Sequence, residues 1–266
     1  MLRGMYWGES EGILRESAWW FLLLIAILLI YLCVQEKQCI RRFVLAGALI
    51  AASLQLTVGR FNWFHRYEVY AIIFTSLVAS TALLQTTRLR RNVLVAGLLL
   101  IGMPYLDALR DTPAASSNVY QQQYQMHRFV SYFYRQPVAV NDLGWISYRR
   151  PAHVYVLDLW GLGSPEASRQ KNKDNEWLDA ITRSHGVGLA MIYPDWFEEG
   201  APDEWEPLAT MCVTSPRTSI SRPCMVFYST AVGDNAALTA EMAAFARTLP
   251  ASVKITLGKD STDQDE

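Results

Sequence analysis

Between Gly59 and Tyr70 the chain reads GRFNWFHRYEVY, with two arginines, a histidine, a glutamate and five aromatic residues between apolar runs. A guanidinium offers two parallel N–H donors to phosphate oxygens, so Arg60, His65, Arg66 and Tyr67 have the chemistry to hold a lipid phosphate at membrane depth. The same composition also suits an ordinary interfacial turn, because arginine and tryptophan anchor spontaneously among headgroups. A second group lies in the later half. Asn141, Asp142 and Asp158 each end a short apolar run, and Gly161 and Gly163 follow the last of them. Carboxylates so placed can accept hydrogen bonds from sugar hydroxyls or share acid–base work, or they can cap the helical turns that follow. Cys212 and Cys224 flank a turn-rich stretch, TSPRTSISRP, and a disulfide between them would suit an oxidising compartment, the alternative being two free thiols.

Other chemistries find no support in the sequence. The four cysteines form no CxxC pair and the four histidines lack the spacing that places two imidazoles on one helical face, so no metal or cofactor is expected. GLGSPE is not GxGxxG, which argues against a dinucleotide. The net charge of −1 conceals a split. Residues 1–106 hold ten Lys+Arg and five Asp+Glu, whereas residues 107–266 hold fourteen and twenty. A basic apolar half followed by an acidic polar half suggests a membrane region and a soluble domain, and it gives no support to nucleic-acid binding, which requires a basic face.

Four apolar runs, at about 18–34, 43–58, 69–85 and 93–106, are read as transmembrane helices, since a span needs about 20 apolar residues. Met1 to Ser17 is polar and lacks the basic start of a secretory signal, so the first run is taken as a retained span. Lys37, Arg41, Arg42, Arg88, Arg90 and Arg91 occupy the two loops after spans one and three. The positive-inside rule then puts those loops in the cytoplasm and the later half outside, which in a bacterium is the periplasm. Residues 107–118 read as a polar linker, 119–258 as an extracytoplasmic domain and 259–266 as a disordered tail. Within the domain, strands at 138–140, 154–159, 188–193, 205–213, 225–230 and 252–257 alternate with helices at 119–134, 174–184 and 235–248. The expected fold is therefore an all-α bundle of four transmembrane helices followed by a soluble α/β domain with a mixed sheet.

Taken together, FNWFHRYEVY, VAVNDLGWISY, VYVLDLWGLGSPEA and CMVFY resemble the C-terminal part of bacterial GT-C superfamily glycosyltransferases. These are polytopic membrane enzymes distantly like the protein O-mannosyltransferases. The resemblance covers most of residues 59–230 and implies a polyprenyl-phosphate-linked sugar as donor and an acceptor on the outer face. It matches Arg66 and Tyr67 to an Arg-Tyr pair near the carrier phosphate. Asn141 and Asp142 match an ND-x-G segment, and Asp158 and Gly161 a D-x-x-G-L segment. That family carries its catalytic acid on a first outer loop and has more spans than are found here. The chain therefore reads as a C-terminal portion or shortened relative, with other membrane subunits supplying the missing spans. Two rivals stand beside it: a non-catalytic membrane-anchored module that binds glycan or a partner, and a tethered hydrolase using Asp142 and Asp158.

Overall fold

The computed structural model of the chain describes residues 11–61, 67–84 and 87–258. It divides into two compact units, Met1–Thr112 and Pro113–Glu266.

The first unit is helical. Helices α1 (Glu11–Gln35) and α2 (Cys39–Val58) are joined by three residues and pack side by side, with α3 (Val69–Leu83) against both. The tight connection follows from its own hydrogen bonds. The Arg42 side chain donates through Nε to the Glu36 carbonyl at 3.0 Å, capping an oxygen that helix geometry leaves without a partner. Ala48 and Ala52, one turn apart on α2, and Ala71 and Ala79 on α3 are fully buried, so small residues let these helices approach closely. Outward, Leu24, Ile27 and Ile30 of α1, Ile50 and Leu54 of α2, and Ile73, Phe74 and Leu77 of α3 remain exposed. An amphipathic helix in water would carry polar residues there.

Two helices, Ala18–Gln35 and Cys39–Val58, are long and apolar enough to cross a membrane. This corrects the four-helix expectation. The third apolar run forms a helix of 15 residues, about 22 Å long at 1.5 Å per residue, against a hydrocarbon core of about 30 Å. The fourth is α4 (Arg88–Ile101), 14 residues that open with RLRRN, so its apolar part is shorter still. A sequence window counts apolar residues across helix ends that the backbone does not respect. Of the two apolar runs on either side of the Gly59–Tyr70 stretch, α2 is therefore a candidate span and α3 a shorter helix. Residues 107–118 also differ from the expected linker: they lie within α5 (Met103–Gln121), and the boundary between units falls inside this helix beside Pro113. Leu106, Ala108 and Leu109 before Pro113, and Ala114 and Ala115 after it, favour the helix. The expected tail at 259–266 lies outside the described residues.

The second unit is an α/β sandwich. A short helix α6 (Gln123–Arg128) runs into a π-turn at Phe129–Phe133, and then the strands begin: β1 (Val138–Val140), β2 (Val156–Asp158), β3 (Leu189–Ile192), β4 (Glu206–Val213), β5 (Cys224–Ser229) and β6 (Val253–Leu257). Their order in the sheet is β2-β1-β3-β5-β4-β6. The first three are parallel and the last three join antiparallel, which makes the sheet mixed as the alternation of elements implied. Successive side chains on a strand point to opposite faces. Leu189 and Met191 of β3 therefore enter one core with Phe129, Phe227 and Phe245, and Ala190 and Ile192 enter the other with Leu157, Leu178 and Ile181. Helix α9 (Asn235–Ala246) covers the first face and α8 (Asn175–Ser184) the second, with α7 (Pro165–Arg169) preceding α8. Ser164, Asp174 and Asp234 accept backbone N–H bonds at the starts of α7, α8 and α9.

Candidate functional site

In an open parallel sheet, loops leave the carboxyl ends of the strands, and ligands gather where the strand order reverses. Here β1 is flanked by β2 on one side and β3 on the other, so the reversal lies beside β1. The expected residues converge there. Val140 pairs with Asp158 across β1 and β2, and Asn141 and Asp142 follow directly.

Asp158 is 3 % exposed, and its carboxylate is committed to the backbone. Oδ1 accepts from the amides of Trp160 and Gly161, both at 3.0 Å, and Oδ2 accepts from Gly163 at 2.5 Å and Ser164 at 3.2 Å. The carboxylate thus folds the WGLGS loop back on the strand end. Gly161 is required there twice over. Its φ is +98°, and a Cβ would stand 2.6 Å from the backbone nitrogen of Ser168, so α7 packs directly on the glycine. A carboxylate bonded in this way has no lone pair free to take a proton from a substrate.

Asn141 is fully buried and links β1 to β3 reciprocally. Its Nδ2 donates to the Tyr193 carbonyl and its Oδ1 accepts from the Tyr193 amide, both at 3.3 Å. The Tyr193 hydroxyl then donates to Gln122 Oε1 at 2.5 Å, and Gln122 Nε2 donates to the Arg222 carbonyl at 3.1 Å. Burial and the nearby Asp142 carboxylate push the Tyr193 hydroxyl far above its usual range, so it stays a neutral donor. Asn118 continues the pattern: it donates to Ser215 Oγ and accepts from the Thr218 amide at 2.7 Å. The loop between β4 and β5 is thereby fastened to the helical segment, and Cys212 and Cys224 are joined by a disulfide at its base. Asn118, Gln122 and Gln125 recur at helical spacing, a signal that the segment buries amides beneath a loop.

Around these buried groups lies a more open rim. Asp142 accepts from Gln123 Nε2. The indoles of Trp160 and Trp196 meet edge to face at 4.9 Å, and Lys173 Nζ stands 5.9 Å from the Trp160 ring and 5.8 Å from the Trp177 ring. Desolvation lowers the Lys173 pKa, with the Asp158 carboxylate opposing it. Arg222 pairs with Asp195 at the same edge. Lys173 was not legible as a site residue in the sequence, because its indole partners lie on separate elements. The rim offers flat apolar faces, a carboxylate, amides and an ammonium, a set that can stack on and hydrogen-bond to a polyol.

Two other constellations do not amount to chemistry. Ser184 Oγ is 3.0 Å from His185 Nδ1, and His185 Nε2 is 3.8 Å from Glu166. However, the hydroxyl donates to the Ile181 carbonyl, and Nδ1 faces that carbonyl too, so the ring presents no lone pair to activate the serine. A cleft lined by Glu176, Asp179, Asp203, Glu204 and Arg183 is acidic, and no group of three metal-binding side chains occurs among the described residues.

His127 is 8 % exposed, between Tyr124 and Trp145. Burial lowers its pKa, and the Ile146 and Trp145 backbone partly opposes this. A base whose folded pKa is depressed is held neutral, so stability is lost as pH falls below the unfolded value near 6.5 toward the folded one. Thermal melts of the chain in detergent should show a falling midpoint from about pH 7 to pH 5, and His127→Phe should flatten that limb.

In the first unit, Gln55 is buried and ties the end of α2 to the start of α3. Its Nε2 donates to the Arg60 carbonyl and its Oε1 accepts from Tyr70, each at 2.7 Å. Arg60 and Tyr67 are exposed and Glu68 is buried. His65 and Arg66, the other two members of the expected phosphate-binding group, lie outside the described residues.

Residues 116–228 match the family model described as a domain of unknown function (DUF8728), a region that encloses β1 to β4, all but the last residue of β5, and both bonded cysteines. No curated protein and no solved structure matches the chain.

Proposed function

We propose that the chain is the membrane-anchored C-terminal portion, or a shortened relative, of a GT-C-type glycosyltransferase that moves a sugar from a polyprenyl-phosphate carrier to an extracytoplasmic acceptor. The observation that carries this reading is the convergence of ND-x-G and D-x-x-G-L on adjacent strand ends, next to the Trp160–Trp196 rim. In this scheme the first two helices form a hairpin whose basic turn, with Lys37, Arg41 and Arg42, faces the cytoplasm. Both ends of the hairpin then face the outside of a bacterial inner membrane. A disulfide in the α/β unit supports a periplasmic position. Arg66 holds the polyprenyl phosphate as the acceptor oxygen bonds to the anomeric carbon and the carbon–phosphate oxygen bond breaks, and the rim holds sugar or acceptor hydroxyls. The carboxylate that activates the acceptor comes from elsewhere in the complete enzyme.

The test combines topology with turnover. In intact cells, a membrane-impermeant thiol reagent should label an Ala240→Cys chain, on the exposed side of α9, and spare Cys33 and Cys39. Membranes of the complete enzyme should consume a radiolabelled polyprenyl-phosphate sugar, and Arg66→Ala should slow this by about 100-fold with insertion unchanged. Labelling of Ala240→Cys only after lysis, or transfer indifferent to Arg66→Ala, would overturn the assignment.

One observation favours a second reading, a non-catalytic glycan- or partner-binding module: of the matched acids, Asp158 is consumed by four backbone amides. The same bonds set aside the hydrolase, which needs Asp158 as an acid or base. Saccharide binding that survives in the complete absence of transfer would select the module.

A further inference from the structure

Charge and aromatic residues are unevenly spread over the α/β unit. From 113 to 157 there are four arginines and one acid, and from 158 to 266 there are nine Lys+Arg and seventeen Asp+Glu. Among the described residues of this unit, every exposed aromatic falls in the first of these stretches: Tyr120, Tyr132, Trp145, Tyr148 and Tyr155. Several are joined ring to ring. Tyr120 stacks on Tyr124 at 5.4 Å, Tyr124 meets Trp145 at 5.7 Å, and Trp145 meets Tyr148 at 5.2 Å. The Arg149 guanidinium lies 5.3 Å over Tyr148. Tyr120 is 49 % exposed, Trp145 39 % and Tyr148 50 %, so this platform is not spent on the core.

Rings with an apolar body and a polar tip, beside arginines, match the layer where lipid headgroups meet the acyl chains. Arg149 and Arg150 supply the charge that anionic phospholipids attract, whereas the rest of the unit repels such a surface. The platform opens on α5 and α6, in the stretch of chain that follows the apolar helices. We propose that the Tyr120–Tyr124–Trp145–Tyr148–Arg149 face of the α/β unit docks in the headgroup layer of an anionic membrane. This rests on membrane anchoring and is independent of sugar transfer.

The full chain with Cys33→Ser and Cys39→Ser, which keeps the disulfide, is spin-labelled at Tyr148→Cys, at Ala152→Cys or at Ala240→Cys on α9. The Ala152→Cys chain leaves every platform ring in place. Each is reconstituted in vesicles of phosphatidylcholine alone or mixed with phosphatidylglycerol, and flotation after a carbonate wash reports anchoring. Docking predicts that labels at 148 and 152, but not 240, shift from nickel-chelate to oxygen accessibility when phosphatidylglycerol is present. Arg149→Glu with Arg150→Glu should reverse the shift, at about fivefold in partition for each arginine lost. Labels at 148 and 152 as aqueous as 240 in a chain that floats would overturn docking alone. Equal depth in both lipids would overturn recognition of anionic lipid, and shielding from both reagents in both lipids would show that protein covers the face. Failure to float would overturn docking and anchoring together.

Discussion

Replacing Asp158 with alanine is expected to destabilise the α/β unit by about 4 kcal/mol, because it removes the acceptor of four charge-assisted hydrogen bonds in one step. Each amide of the WGLGS loop would otherwise need water or a new partner, and the site is nearly closed to solvent. Asp158→Asn should cost less. The retained oxygen still accepts from two amides, but the NH₂ that replaces the other oxygen meets two donors and repels them. Urea unfolding of the solubilised chain, followed by near-UV circular dichroism, would give the order wild type, Asn, Ala. Equal midpoints for all three would refute the carboxylate's structural role. Because Gly161 is held by the same carboxylate, a Gly161→Ala, Asp158→Ala pair should fall short of the sum of the single effects.

Opening the Cys212–Cys224 bridge ranks next, at about 3 kcal/mol for a loop of this size in the chain-entropy model. The two residues face each other across the β4–β5 pairing, and the loop between them is also held by Asn118 and Gln122. Reduction should therefore lower the melting midpoint and leave the sheet folded at room temperature. Cys212→Ala with Cys224→Ala should behave identically, with no further response to reductant. A double variant as stable as the parent would show that the amides alone secure the loop.

Much of the second unit could be read from local pattern. The six strands and the helices expected at 174–184 and 235–248 follow signals carried within a few residues, and Asp174 and Asp234 stand at the starts of those helices. The cysteine pairing was legible for the same reason, since a turn-rich stretch between two apolar runs brings its ends together. Roles set by distant partners were not. Asn141 has the letters of a ligand-binding residue, yet it is bonded to Tyr193, 52 positions away. Asp158 could be read as a cap or as a sugar contact until its partners were known. The helical half misled for a different reason. Hydropathy rises across Val69 to Gln85 as it does across Ala18 to Val34, but α3 stops at Leu83 and is too short for a full crossing.

The reciprocal amide link between Asn141 and Tyr193 has a consequence for what the α/β unit can grip. Many open sheets admit a small metabolite into the gap between two diverging strands, wrapping it on several sides. Here that gap is stoppered by the protein's own side chain, which leaves only the outer face of the strand ends for a ligand to reach.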